Sequence, residues 1–111
     1  VDGKDCIVVD DICDTAGSLV AACDILKRFG AKDIYVCLAH GVFSGPAIER
    51  LENSCIKEVV CTNSIPLDEE KKAQTTKIKQ LSIGLMLSKL ILAISSHKPV
   101  SEIYRWFEDH E

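Results

Sequence analysis

No stretch of this sequence is apolar for long enough to cross a membrane. The longest candidate, Ile83 to Ile94, is broken by Ser88 and Lys89 and falls short of the ~20 residues a spanning helix needs. The opening residues, Val1 to Lys4, show no basic segment leading into an apolar one with a small-residue cleavage site, so no export signal is read there. Clustered Lys and Arg are missing as well. The net charge is −4 and the basic residues are scattered, which excludes the usual footprint of a nucleic-acid binder, because offsetting a phosphate backbone takes grouped cations. Low-complexity segments are absent too. A soluble, cytoplasmic protein is expected, with neither nucleic acid nor membrane among its partners.

Cysteine is not scarce, at six in 111 residues, but close cysteine pairs are: no CxxC occurs, and Cys6, Cys23, Cys37 and Cys61 lie inside apolar runs. Disulfide frameworks and zinc sites are usually announced by spaced pairs, so buried free thiols in a reducing compartment are the reading. Apolar residues at 47% and charged residues at 27% are ordinary for a globular domain. The length suits one compact unit near the size at which burial becomes limiting. The chain opens only a few residues ahead of an apolar strand, which suggests more sheet upstream in a longer parent. Residues 1–111 are therefore expected to be a single domain and a fragment.

Four short runs rich in β-branched residues read as strands: Cys6 to Asp10, Ile34 to Ala39, Glu58 to Thr62 and Ile78 to Leu81. They are continuous rather than alternating, the pattern of strands buried on both faces. Between the first two, Leu19, Ala22, Cys23, Leu26 and Phe29 recur at helical spacing within Ser18 to Phe29, and Gly30 marks the stop. A second helix is expected from Pro46 to about Asn53, and a third from about Ser82 to Ser96, ending before Pro99. Ile103, Trp106 and Phe107 suggest the apolar side of a short terminal helix, with a subunit contact as a second use. Alternation at these lengths predicts an α/β fold, a parallel sheet of about four strands flanked by helices.

The stretch that carries chemistry is Ile7 to Leu19, IVVDDICDTAGSL, where an apolar strand meets two carboxylates and passes through a polar loop into a helix. Ligands of open α/β sheets bind outside the carboxyl ends of the strands. Thr15 and Ser18 offer hydroxyls, Gly17 permits close approach, and successive N–H groups with the positive helix end make a phosphate cradle. Asp10 and Asp11 offer the acceptors that a sugar diol needs. The plainer reading is that Asp14 or Thr15 caps the helix and the acidic pair is a solvated strand end; two acids and a Thr, Gly, Ser loop together favour a ligand site. Ala16 breaks the DTG of an aspartic protease, and the spacing of Asp11, Asp14 and Thr15 does not fit a haloacid-dehalogenase nucleophile. Thr62 stands where a response-regulator receiver would want its phosphoacceptor Asp. A Walker A loop is absent. Cys13 is expected to be the loop thiol, its thiolate favoured by the helix end. His40 reads as a packing or turn residue, Ser44 to Pro46 as a helix start, and Lys71, Lys72, Lys77 and Lys79 as a solvated charge group.

VVDDICDTAGS resembles the phosphoribosyl pyrophosphate signature shared by phosphoribosyltransferases and ribose-phosphate pyrophosphokinases. HGVFSGPAIERL (His40 to Leu51) and EVVCTNSIP (Glu58 to Pro66) resemble segments of the pyrophosphokinases, and the likeness covers nearly the whole chain. The resemblance implies a phosphoribosyltransferase-like fold and the C-terminal, ribose-phosphate-binding part of such an enzyme, which moves pyrophosphate from ATP onto ribose 5-phosphate. It implies that Asp10 and Asp11 meet the ribose hydroxyls and that Asp14, Thr15, Ala16, Gly17 and Ser18 wrap the 5-phosphate. It also implies Mg²⁺, ATP bound mostly outside this chain, and a homo-oligomer. The family's non-catalytic associated proteins have degenerate loops, whereas this loop is intact. No Lys or Arg lies within it, so no catalytic residue is assigned and half of an active site is expected. A phosphoribosyltransferase domain and a regulatory partner of the enzyme are the competing readings.

Overall fold

A computed structural model of the chain describes residues 1–110. They fall into two compact units, residues 1–81 and the segment from residue 82 onward, a finer division than the single unit that length suggests.

The first unit is built on a four-stranded sheet. Strands β1 (Cys6–Cys13), β2 (Ile34–Gly41), β3 (Ile56–Thr62) and β4 (Ile78–Leu81) lie side by side in chain order, and each neighbouring pair is parallel. Parallel neighbours cannot be joined by a tight hairpin and need a crossover. The crossovers contain α1 (Gly17–Arg28), α2 (Ala47–Glu52) and α3 (Glu69–Ala73). When strand order always advances by one step and crossovers keep their usual right hand, successive connections land on the same face of the sheet. Leu19 and Cys23 of α1 and Ala47, Ile48 and Leu51 of α2 accordingly share one core with Ile34, Val36, Leu38, Val59 and Cys61.

That topology corrects the expectation of strands buried on both faces. Burial alternates along β2, with Ile34, Val36 and Leu38 buried and Tyr35, Cys37 and Ala39 only half-buried. On the edge strand β1, Ile7 and Val9 stay 67% and 77% exposed. The apolar text of β1 marks a strand correctly, but α1 and α2 cover only one side of it.

Two strands also run past their expected ends, β1 to Cys13 and β2 to Gly41. β1 pairs with β2 through Ile12↔His40 and Cys13↔Gly41, so Asp10 and Asp11 lie within the strand instead of closing it. The ladder continues through Asp10, Ile12 and Cys13, and a carboxylate on an edge strand remains in water.

The second unit contains α4 (Gly84–Ser95) and α5 (Glu102–Asp109). Within it Trp106 stacks on His110 with centroids 4.2 Å apart, and Lys89 Nζ lies 3.9 Å from the Trp106 ring centroid. Among the described residues no helix is long and apolar enough to cross a membrane.

Candidate functional site: the loop between β1 and α1

Three residues, Asp14, Thr15 and Ala16, join β1 to α1. Ala16 stands at the N-cap of α1 in the left-handed region, φ 68°, with its methyl buried. An L-residue is rarely held there without a reason in the surrounding structure. The conformation turns the chain sharply from strand to helix and leaves α1 without any side-chain cap. The plainer reading, in which Asp14 or Thr15 caps the helix, is thereby excluded. The first-turn N–H groups of α1 have no partner within the helix, and the positive end of its dipole is open.

The loop's carbonyls are meanwhile tied back toward the segment after β2. Val42 and Phe43 N–H donate to Cys13 O at 2.9 and 3.2 Å, and Ser44 N–H donates to Asp14 O at 2.9 Å. Arg50 Nη1 donates to Thr15 O at 3.1 Å. The 42–44 turn is itself fixed by Phe43, which is 1% exposed at φ 53°. A Cβ at Gly41 would overlap the Phe43 ring, so only glycine fits beneath it.

A cavity of about 210 Å³ opens at this corner, lined by Asp10, Asp14, Thr15, Ala16, Gly17 and Ser18 together with Ile12, Cys13 and Leu19. Six of the seven residues expected from the sequence are thus brought to one place. The seventh, Asp11, is exposed one step along the strand and outside the lining, since successive strand side chains alternate in direction. Asp10 Oδ1 accepts the Asp11 N–H and Asp11 Oδ1 accepts the Ile12 N–H, each at 2.8 Å. One oxygen of each carboxylate is engaged by its own strand.

Cys13 departs from its expected role. It is 4% exposed and belongs to the core. Desolvation by burial pushes its thiol up to about 11; an Ala16 N–H contact opposes the rise, and the charges of Asp14 and Asp10 add to it. His40, expected as a packing or turn residue, is an exposed member of β2 whose Nδ1 lies 2.7 Å from Ser64 Oγ. Lys71, read as solvated, reaches Val42 O with its Nζ at 3.4 Å. Arg50 is the residue that sequence reasoning missed: it lies 35 positions from Thr15, and its only signal was a place one turn after Pro46 in a short helix.

Comparison with known proteins gives the family of the chain. A family model described as "Phosphoribosyl synthetase-associated domain" matches residues 1–105. The chain is 47% identical over 104 residues to a ribose-phosphate pyrophosphokinase of Bacillus subtilis, covering 94% of this chain and 32% of that protein. It is 50% identical over 105 residues to one of Clostridium acetobutylicum, covering 95% and 32%. The crystal structure of phosphoribosylpyrophosphate synthetase from Mycobacterium smegmatis superposes with a TM-score of 0.83 at 38% identity, covering 87% of this chain and 32% of that one. The chain therefore spans about a third of the length of these relatives. The expected C-terminal placement is withdrawn: what matches is a third of each relative, and a strand-end loop marks a site wherever its βα unit falls in a longer parent.

Proposed function

We propose that this chain, which belongs to the phosphoribosyl synthetase-associated domain family, is the ribose 5-phosphate-binding part of an enzyme that transfers pyrophosphate from ATP to ribose 5-phosphate. The observation that carries the reading is the uncapped helix end, whose preceding carbonyls are turned away, opening on a cavity that Asp10 also lines. N–H donors at a helix start suit a phosphate; a carboxylate beside them suits a hydroxyl-bearing sugar. In this reading Thr15 to Ser18 bind the 5-phosphate through backbone N–H groups and the Thr15 and Ser18 hydroxyls, with Asp14 at the loop's entry. Asp10 accepts from the ribose diol inside the cavity, and Asp11 accepts from its outer flank.

The overall reaction is attack of the anomeric hydroxyl on the β-phosphorus of ATP, with AMP leaving. Such chemistry relies on positioning and on cations that offset developing charge. Among the described residues no three His, Cys, Asp or Glu side chains are grouped to hold a metal. Mg²⁺, however, usually keeps several waters and substrate oxygens and takes only one or two carboxylates. Asp10 and Asp14 on the cavity wall fit that lesser demand; the bound ion would neutralise polyphosphate charge. ATP is assigned mainly to parts of the enzyme outside these residues, and assembly as a homo-oligomer in the cytoplasm belongs to the same proposal.

The test is titration calorimetry of the purified chain with ribose 5-phosphate, beside a coupled AMP assay with ATP and Mg²⁺. Weak binding without AMP formation is expected, because the cradle is local while the charge-stabilising groups lie elsewhere. Robust AMP formation would overturn the half-site assignment, and absence of binding by a folded chain would overturn the cradle. The family's description as an associated domain favours a second reading, a regulatory partner. Such a partner would bind the sugar phosphate or none, and would fail to restore turnover when supplied with the rest of the enzyme.

A further inference from the structure

We infer that Arg50 is a positioning residue for the phosphate loop, holding the Thr15–Ala16 peptide in the orientation that opens the cradle and bringing to the loop the positive charge its own sequence lacks. The inference rests on the ribose 5-phosphate reading above. Thr15 O is the last loop carbonyl outside the helical ladder, since Ala16 O already accepts the Val20 N–H at 3.0 Å, and its direction sets the peptide plane that precedes Ala16, the residue at φ 68°. Cys13 O and Asp14 O are held by backbone N–H groups; Thr15 O is held by a charged side chain, at 3.1 Å. A charged donor makes the stronger bond and, in arginine, a planar fork that fixes direction.

Two further observations place the guanidinium at the loop. A Cβ built on Gly17 would come within 3.1 Å of Arg50 Nη1, so the first residue of α1 has no side chain where the guanidinium sits. Among the described residues the ion pairs are Lys57 with Asp33 and Lys72 with Glu69, and Arg50 enters neither. Its charge is therefore not spent on a carboxylate, although Asp10 and Asp14 line the cavity beside the loop it holds. The topology explains the reach: β2 pairs with β1, and α2, which follows β2, brings Arg50 beside the loop that follows β1.

The experiment compares the 111-residue chain with its Arg50→Met and Arg50→Lys variants, titrated with ribose 5-phosphate and with unphosphorylated ribose. Arg50 is exposed, so both variants should keep the wild-type circular dichroism spectrum. Arg50→Met is expected to weaken ribose 5-phosphate binding tenfold or more, to leave ribose binding unchanged, and to flatten the salt dependence. Arg50→Lys should recover part of the loss, because it restores charge without the fork. A purely structural role would not separate the two sugars or be rescued by charge. Should the Met variant fail to fold, Arg50→Lys against wild type decides, with a measurable loss expected for the phosphorylated sugar alone. Wild-type binding that survives either substitution would overturn this inference and leave the ribose 5-phosphate reading standing. A wild-type chain that binds no ribose 5-phosphate would defeat that reading, and this inference with it.

Discussion

Asp10 and Cys13 are three positions apart on β1 and face opposite demands. Asp10 is exposed at the cavity with one oxygen engaged by its own strand. Replacing it by asparagine keeps the shape and removes the charge, so Asp10→Asn should weaken ribose 5-phosphate binding by roughly ten- to a hundredfold, the cost of one charge-assisted hydrogen bond of about 1.5–3 kcal/mol. Asp11→Asn should cost less, since Asp11 lies outside the lining; calorimetry on both variants, with equal effects or none, would contradict that ordering. Cys13 shows what the text alone could not give. Its nearness to the helix end suggests a reactive thiolate, but desolvation is the larger influence and raises the thiol to about 11. Iodoacetamide should label it slowly at pH 8, and ribose 5-phosphate should not change that rate; mass spectrometry of the labelled peptide checks this. Burial raises Cys23 to about 11 too, from an ordinary 9.0. In the unfolded chain these thiols ionise first, so between about pH 9 and 11 the unfolded state has lost protons that the folded state still holds. Stability therefore falls across that window, and urea midpoints measured through it should drop.

Among elements, α2 is short but ties the site to the rest of the first unit. Arg50 points to the loop after β1, while two residues on Glu52 gathers the turn before β4. Glu52 Oε1 accepts from Thr75 Oγ1 at 2.6 Å, Thr76 N–H at 3.0 Å and Lys77 N–H at 3.2 Å, and its Oε2 accepts from Thr76 Oγ1 at 3.1 Å. Desolvation raises its carboxyl, but these hydrogen bonds outweigh it and hold Glu52 below its ordinary value. The stabilisation is present above that ordinary value and is lost as pH falls through the depressed one. Glu52→Gln should thus lower the unfolding midpoint at pH 7 while narrowing the difference between pH 7 and pH 3. A midpoint gap as wide as that of the wild type would contradict the assignment. Strands were the most legible elements, and β4 matches its apolar run from Ile78 to Leu81. Their ends were less so, because pairing with a neighbour carries β1 through Asp10 and Asp11 to Cys13 and β2 past Ala39 to Gly41. The short α3 went unread, although Asp68 caps it by accepting the Lys71 N–H at 2.8 Å. Its Glu and Lys residues give no apolar period, and the cap alone was the available signal.

At the scale of the whole molecule, the sequence contained the site's location but not its construction. Asp14 to Ser18 are contiguous, so their gathering needs only one turn; Arg50 and the 42–44 donors arrive through strand pairing that no local pattern reveals. The one-sided burial of the sheet follows from strand order, another property without a local signature. The most direct test of the cradle is an amide NMR titration of the ¹⁵N-labelled chain with ribose 5-phosphate. The account predicts that the N–H signals of Thr15, Ala16, Gly17 and Ser18 shift most, saturably, and that unphosphorylated ribose leaves them in place. Saturable shifts centred away from this loop, or none in a folded chain, would contradict it.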